Sequence, residues 1–328
     1  MTISLAMIVK NESVCLPRAL ANWRELADEL IIVDTGSTDD TVAIAERHGA
    51  AVLHYDWIQP GHKGAARQMG IDAAGGEWVV VLDADEIITD PAGLRRAILD
   101  APPERTGFCV LFENYDDEGK LTLRWYQNRV FRRGLYRYRH REHEMPCWCG
   151  DGEPAEFGVN IVFEHRAPAG RGPVKAGPML DRLRLDVEEN PGDPHPVYFL
   201  HRQYLLMEDW KAGIEWGARY LALDHDRDLC ECYGNMASCH YMLRDVQGAI
   251  RWLHNAAAEQ PHRRIWWIRL AEMHMSAGQW NIGLAHLRLA SELWPTFEWQ
   301  WEPGTYGAGL QALIDKCQRA LAEMHHTH

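Results

Sequence analysis

Apolar and polar positions alternate along the first hundred residues in a strand-then-helix rhythm. Ile3–Val9 is a mostly apolar run and reads as a first strand, and Leu16–Leu26 carries apolar residues at helical spacing. Leu30–Val33 reads as a second strand, running into the polar stretch Asp34-Thr35-Gly36-Ser37-Thr38-Asp39. There Thr38 or Asp39 can cap a helix through Val42 to Arg47. Val52–Tyr55 is a third strand, Gly64–Ala74 a helix, and Val79–Leu82, with three consecutive valines, a buried fourth strand. Strands alternating with helices predict a mainly parallel sheet covered on both faces. Such sheets bind ligands outside the carboxyl ends of their strands. Asn11, Asp34, Asp56, Asp83 and Asp85 all follow strand ends, so one rim should carry a polar pocket.

From Gly107 to His165 the pattern becomes shorter and more β-like, with strands expected at Phe108–Phe112, Leu121–Trp125, Arg129–Phe131 and Asn160–Phe163. A Pro/Gly-rich linker over 167–178 follows. Beyond it the chain is helical and repetitive. Trp210-Lys-Ala-Gly-Ile214 aligns with Val246-Gln-Gly-Ala-Ile250 and Trp280-Asn-Ile-Gly-Leu284, and Pro261 with Pro295. A period near 34 with paired helices is the tetratricopeptide signature, a stack of units that cannot bury their apolar faces alone. The expected domains are an α/β domain over 1–166, the linker over 167–178 and an all-α repeat domain over 179–328.

Composition narrows the class without naming it. At 328 residues, 46% hydrophobic and 25% charged, the chain has the balance of a soluble globular protein of two domains. With no basic leader and no run of membrane-spanning length, a cytoplasmic location is expected. The eight cysteines do not make a disulfide framework, and neither Cys147-Trp-Cys149 nor Cys230-Glu-Cys232 has a recognised zinc spacing, so buried reduced thiols are expected. The net charge of −13 argues against a general nucleic-acid coat protein. Between Arg124 and Arg141, however, stand seven arginines and no acid, interleaved with aromatics. They read either as a hairpin with a solvated Arg face or as a phosphate-binding surface.

The sharpest chemical signal is Asp83-Ala-Asp85-Glu86 directly after the fourth strand. Buried ionised carboxylates are costly unless paired or metal-bound, so these belong at the strand's open end. Hard oxygen ligands there suit Mg²⁺ or Mn²⁺ holding a diphosphate. A polar turn after a core strand is the plainer alternative.

Taken together, Ser4-Leu-Ala-Met-Ile-Val-Lys-Asn-Glu12, Ile31-Ile-Val-Asp-Thr-Gly-Ser-Thr-Asp39 and Leu82-Asp-Ala-Asp-Glu86 resemble family 2 glycosyltransferases. The nearest branch includes the bacteriocin peptide S-glycosyltransferases and related phage enzymes. The resemblance covers residues 1–165 and implies a GT-A fold, a UDP-sugar donor, a divalent metal and inversion at the sugar's anomeric carbon. It implies that Asn11, Glu12 and Asp34 meet the nucleoside; Thr35 stands where most of the wider family has a second Asp. Arg67 falls where that branch has an Arg-Asn pair near the nucleotide, with Gln68 replacing the Asn. Asp85 is then the direct metal ligand, and Asp83, nearer the ribose, and His165 are further candidate ligands. Arg129-Val-Phe-Arg132 and His143-Glu144 resemble the family's Arg-x-Phe-Arg and His-Glu elements. Inverting transfer needs a base and positive charge for the departing diphosphate. Glu144 is the candidate base, with His143 as orienter or substitute, and Arg129, Arg132 or Arg133 could hold the diphosphate.

Three functional classes fit unequally. A metal-dependent hexosyltransferase with a repeat domain that presents the acceptor leads. A non-catalytic nucleotide-sugar-binding scaffold is second, and a nucleotidyltransferase lacks its glycine-rich basic loop. The acceptor is expected to be macromolecular: a peptide Cys or Ser, or a hydroxymethylated DNA base, with a saccharide behind and no membrane partner. A homo-oligomer stays open, and so does the donor sugar.

Overall fold

The structure is a computed structural model that describes residues 1–116, 118–166, 176–223, 225–293 and 308–326. The chain divides into two compact units, the first ending at Arg182 and the second beginning at Leu183.

In the first unit the chain runs β1 (Ile3–Val9), α1 (Leu16–Ala19), α2 (Trp23–Leu26), β2 (Glu29–Asp34), α3 (Thr41–Arg47), β3 (Ala51–His54), α4 (Lys63–Ala73) and β4 (Trp78–Val81). It continues through β5 (Glu86–Ile88), α5 (Pro91–Leu99), β6 (Gly107–Tyr115), β7 (Leu121–Arg132), β8 (Tyr136–Arg139), β9 (Met145–Trp148) and β10 (Glu156–His165). Eight strands form one sheet in the order β3-β2-β1-β4-β7-β6-β10-β5, and β8 pairs β9 in a separate ribbon. The strands β3, β2, β1 and β4 are parallel, as their apolar runs predict. β7 runs antiparallel to both β4 and β6, and β5 antiparallel to β10. The result is a GT-A-like mixed sheet.

The alternation of side chains along β1 and β4 builds both layers. Leu5, Met7, Trp78, Val80 and Leu82 face one side, where they join Leu16, Leu20, Trp23 and Leu26 with Leu94 and Ile98 of α5. Ala6, Val79 and Val81 face the other, against Ile71 of α4 and Tyr136 and Tyr138 of β8. Two expectations shift. The single helix read over Leu16–Leu26 is two four-residue helices separated at 20–22. The strands read at Leu121–Trp125 and Arg129–Phe131 are one twelve-residue strand, because pairing with β6 carries the backbone through polar Tyr126, Gln127 and Asn128.

Most of the expected linker, 167–175, lies outside the described residues. Its last three positions already open α6 (Ala176–Glu189), where Pro178 is tolerated because a first-turn N–H has no helical partner. The second unit then pairs α7 (Pro194–Leu206) with α8 (Trp210–Leu221), α9 (Leu229–Met242) with α10 (Val246–Glu259), and α11 (Arg264–Ser276) with α12 (Trp280–Glu292), before α13 (Ala308–His326). The aligned motifs start the second helix of each pair. Gly283 stands where an added Cβ would lie 2.6 Å from Met275 Cγ, so a missing side chain sets how closely α12 packs on α11. Among the described residues no helix is long and apolar enough to cross a membrane.

Candidate active site

The carboxyl ends of β1 and β2 are stapled side by side. Asn11, in the left-handed region at φ 56°, accepts the Thr38 N–H at 2.7 Å, while its own N–H donates to Ser37 Oγ at 2.9 Å. The Glu12 N–H donates to Thr41 Oγ1 at 2.7 Å. Asp34 is buried and accepts from the backbone N–H groups of Ser37 at 3.0 Å and Gly36 at 3.2 Å. His54, at the end of β3, brings Nδ1 to 3.5 Å from Asp34 Oδ2. Asn11, Glu12 and Asp34 therefore share one edge of the rim. His54 was not singled out from sequence, where it is one histidine among seventeen.

At the end of β4 the carboxylates meet guanidiniums. Arg67, one turn into α4, gives Asp83 Oδ1 its Nη2 at 2.6 Å and Glu144 Oε1 its Nε at 2.8 Å. Arg129 of β7 gives Nη2 to Glu86 Oε1 at 2.7 Å and lies 3.4 Å from Asp83 Oδ2. Glu86, 1% exposed, also accepts the Asp83 N–H at 2.9 Å through its other oxygen. Burial opposes the charged form of Asp83, but the two guanidiniums outweigh it and hold the carboxyl below the ordinary range. Burial pushes Glu86 up to about 7, against the pull of Arg129. Burial works against the charged Arg67, and the Asp83 and Glu144 charges more than offset it, raising the guanidinium above its ordinary value. Arg67 Nη1 and Arg129 Nε are buried and have no hydrogen-bond partner among the described residues. Two such donors beside one carboxylate are costly unless a ligand oxygen satisfies them.

Local packing explains how Arg67 reaches Glu144. The Gly64 N–H donates to the His140 carbonyl at 3.1 Å, and a Cβ on Gly64 would lie 2.5 Å from that oxygen. Only glycine lets α4 start against the β8–β9 connection. His140 and His143 both take left-handed backbone, at φ 70° and 52°, and turn this connection back so that Glu144 faces Arg67. His143 itself is exposed. The neighbouring Glu142 is buried and committed elsewhere, to Lys63 and to Arg182 Nε at 2.6 Å.

On the other side of Asp83, His165 closes β10 opposite Glu86. Its Nε2 lies 3.3 Å from Asp85 Oδ2, and the hydrogen bond to Asp85 raises the imidazole above its ordinary value. Its Nδ1 lies 2.7 Å from Asn114 Oδ1. Two octahedral ligands at right angles around a magnesium-sized ion stand about 3.0 Å apart, so Asp85 and His165 fit adjacent positions. Asp83, the third expected ligand, faces guanidiniums with both oxygens. Among the described residues no three His, Cys, Asp or Glu groups are arranged to hold an ion.

Arg132 is not brought to this cluster. Its register partner is Trp78, at the opposite end of β4 from Asp83, because β7 runs antiparallel and three residues separate it from Arg129. There it pairs with Glu77, donates Nε to the Arg105 carbonyl at 2.7 Å and stacks on Trp78. Arg133 is held at the same end, its Nε on the Gly76 carbonyl at 2.9 Å. Three of the seven arginines in this segment are paired to acids elsewhere in the sequence: Arg124 to Glu113, Arg129 to Glu86 and Asp83, Arg132 to Glu77.

The sequence profile described as Glycosyl transferase family 2 matches residues 4–162. A TPR repeat-containing protein of Synechococcus elongatus is 31% identical over 87% of this chain and 73% of its own length. An uncharacterized glycosyltransferase of Rickettsia conorii is 44% identical over 26% of this chain, a match spanning 29% of that protein. The glycosyltransferase SunS of Bacillus phage SPbeta is 25% identical over 66% of this chain and 52% of its own length.

Proposed function

This chain belongs to glycosyl transferase family 2, with tetratricopeptide-like helical repeats behind the catalytic domain, and on that premise we propose that it moves a hexose from a UDP-sugar to a hydroxyl or thiol of a polypeptide. The observation that carries the reading is Arg67: one buried guanidinium holds both Asp83 and Glu144 and keeps a third, unpartnered donor beside them. A donor-side carboxylate and a base are thereby fixed relative to each other.

In this reading Asn11, Glu12 and Asp34 face the nucleoside, and Asp83 faces the ribose. The unpartnered donors of Arg67 and Arg129 point to the diphosphate. Glu144 accepts the acceptor's proton on Oε2 while Arg67 holds Oε1. The acceptor's oxygen or sulfur bonds to the sugar C1 as the bond from C1 to the diphosphate oxygen breaks, which inverts C1 and releases UDP. Asp85 and His165 would hold Mg²⁺ or Mn²⁺, which supplies positive charge for the leaving diphosphate. The carboxylates Asp83, Asp85 and Glu144 outnumber the two guanidiniums, a negative surplus that suits a divalent cation. A polypeptide acceptor is favoured over modified DNA, because three of the seven arginines that suggested a polynucleotide surface are paired to acids within the sheet.

The test is UDP release from UDP-glucose, UDP-GlcNAc and UDP-galactose with Mn²⁺, with and without EDTA. Each donor is run alone, with a Cys/Ser peptide pool, and with hydroxymethylcytosine DNA. Metal-dependent release that rises with peptide is expected. A rise with DNA alone would overturn the acceptor, and EDTA-insensitive release the metal.

A further inference from the structure

Behind the Asp85–His165 pair lies a chain of hydrogen bonds whose direction is fixed at every link. Thr122 Oγ1 donates its one proton to the Asn114 backbone carbonyl at 2.9 Å and accepts from Asn114 Nδ2 at 2.7 Å. The amide nitrogen is thus turned to Thr122, and the amide oxygen faces His165 Nδ1 at 2.7 Å. Turning the amide over would set Oδ1 against a hydroxyl that has already given up its proton. An amide oxygen only accepts, so His165 carries its proton on Nδ1. The Phe112 ring, stacked at 5.9 Å between centroids, holds the imidazole face.

The other nitrogen follows from this. With one proton fixed on Nδ1, Nε2 is the nitrogen left to face Asp85 Oδ2, 3.3 Å away; it donates a second proton there while the ring is charged and offers a lone pair once that proton leaves. A divalent cation can take the place of that proton between the two groups. We propose that Asn114, backed by Thr122, is a positioning residue that locks His165 in the Nδ1–H tautomer, so that Nε2 and Asp85 together take a divalent cation. The inference rests on the metal-dependent reading above. It adds that the ligand geometry is set from β6 and β7, outside the residues that touch the ion. Such outer partners are worth roughly 10–100-fold in metal affinity.

The experiment measures Mn²⁺ binding to the full chain, alone and with UDP, from the electron paramagnetic resonance signal of free Mn²⁺. Asn114→Leu is expected to weaken binding roughly 10–100-fold. Asn114→Asp keeps an acceptor for Nδ1–H and is expected to bind at least as tightly as the wild type. Thr122→Val, which frees the amide to turn, should fall between Asn114→Leu and the wild type. Wild-type affinity in Asn114→Leu beside lost binding in Asp85→Ala would overturn the positioning role and leave the cation site standing. Undiminished binding in Asp85→Ala, or none by the wild type even with UDP, would overturn the cation site and this inference with it. Should Asn114→Leu fail to fold, wild-type affinity in Thr122→Val overturns the role equally.

Discussion

Arg67 donates from Nε to Glu144 Oε1 over 2.8 Å, which pins one oxygen of that carboxylate. Glu144→Gln keeps an acceptor oxygen for Arg67 but removes the base. The turnover number should fall roughly 10²–10⁴-fold with the donor KM little changed. Initial rates of UDP release measure both, and a wild-type rate would move the base to another residue, His143 first.

Asp85 touches His165 at the rim and takes no part in the apolar layers. Asp85→Ala is therefore expected to abolish transfer while the thermal midpoint holds, and EDTA should do the same to the wild type. Full activity in the variant with metal present would remove Asp85 from the metal site.

Arg129 and Arg132 lie three residues apart at opposite ends of the β4–β7 pairing. Arg129→Met should raise the donor KM at least tenfold. It should also cost about 3–5 kcal/mol of stability, because it strands the buried Glu86 and removes a partner of Asp83. Arg132→Met should leave both kinetic constants within about threefold, since what it loses, the pair with Glu77, the hydrogen bond to the Arg105 carbonyl and the stacking on Trp78, all lies away from Asp83. Kinetics and melting of the two variants side by side decide which arginine serves the donor.

The turns inside the first two helix pairs place Glu208 and Arg244 in the left-handed region, at φ 59° and 67°, and the third places Gly278 there, at φ 75°. Both side chains are exposed. Glu208→Gly and Arg244→Gly should each stabilise the repeats by about 0.5–1 kcal/mol, the left-handed penalty less glycine's greater unfolded freedom. Gly278→Ala should destabilise by a similar amount. Urea midpoints measure all three, and a loss of stability in Arg244→Gly would contradict the assignment.

His201 is fully buried, its Nδ1 on the Gly213 carbonyl at 2.7 Å and its Nε2 without a partner among the described residues. Burial holds this imidazole below the ordinary histidine value. As pH falls below about 6.5 the unfolded chain takes up a proton that the folded chain refuses. Stability should therefore drop on acidification, by at most about 1.4 kcal/mol per pH unit for this residue, until the folded value is reached. The loss in melting temperature between pH 7.5 and 5.5 should be smaller in His201→Gln than in the wild type.

How far the sequence reaches can be read from these residues. Asp83 and Asp85 were visible because a strand of valines ends in carboxylates, and both the local pattern and its cost are short-range. The repeats were visible because one helix-start motif recurs. Arg132 stands away from the cluster although its motif neighbour Arg129 is close in sequence, because three residues of extended strand carry it about 10 Å further, to Trp78 at the start of β4. Glu86 looked like one more rim acid; its burial depends on Arg129, which β7 inserts from 43 residues away. Asn114 carries no local signal at all, since its role depends on Thr122 across a hairpin and His165 across a sheet.

The contact at Gly64 carries a rule about which parts of this chain can vary. With His140's carbonyl where a methyl group would otherwise stand, there is no clearance between the start of α4 and the stretch leading to Glu144. A residue inserted on either side of that contact could not be absorbed locally, and would displace Arg67 from Asp83 and Glu144 in one movement. The two stretches, more than seventy residues apart in sequence, should therefore accept change only as a matched pair, and grafting one without the other from a relative should silence the enzyme even with every charged residue in place.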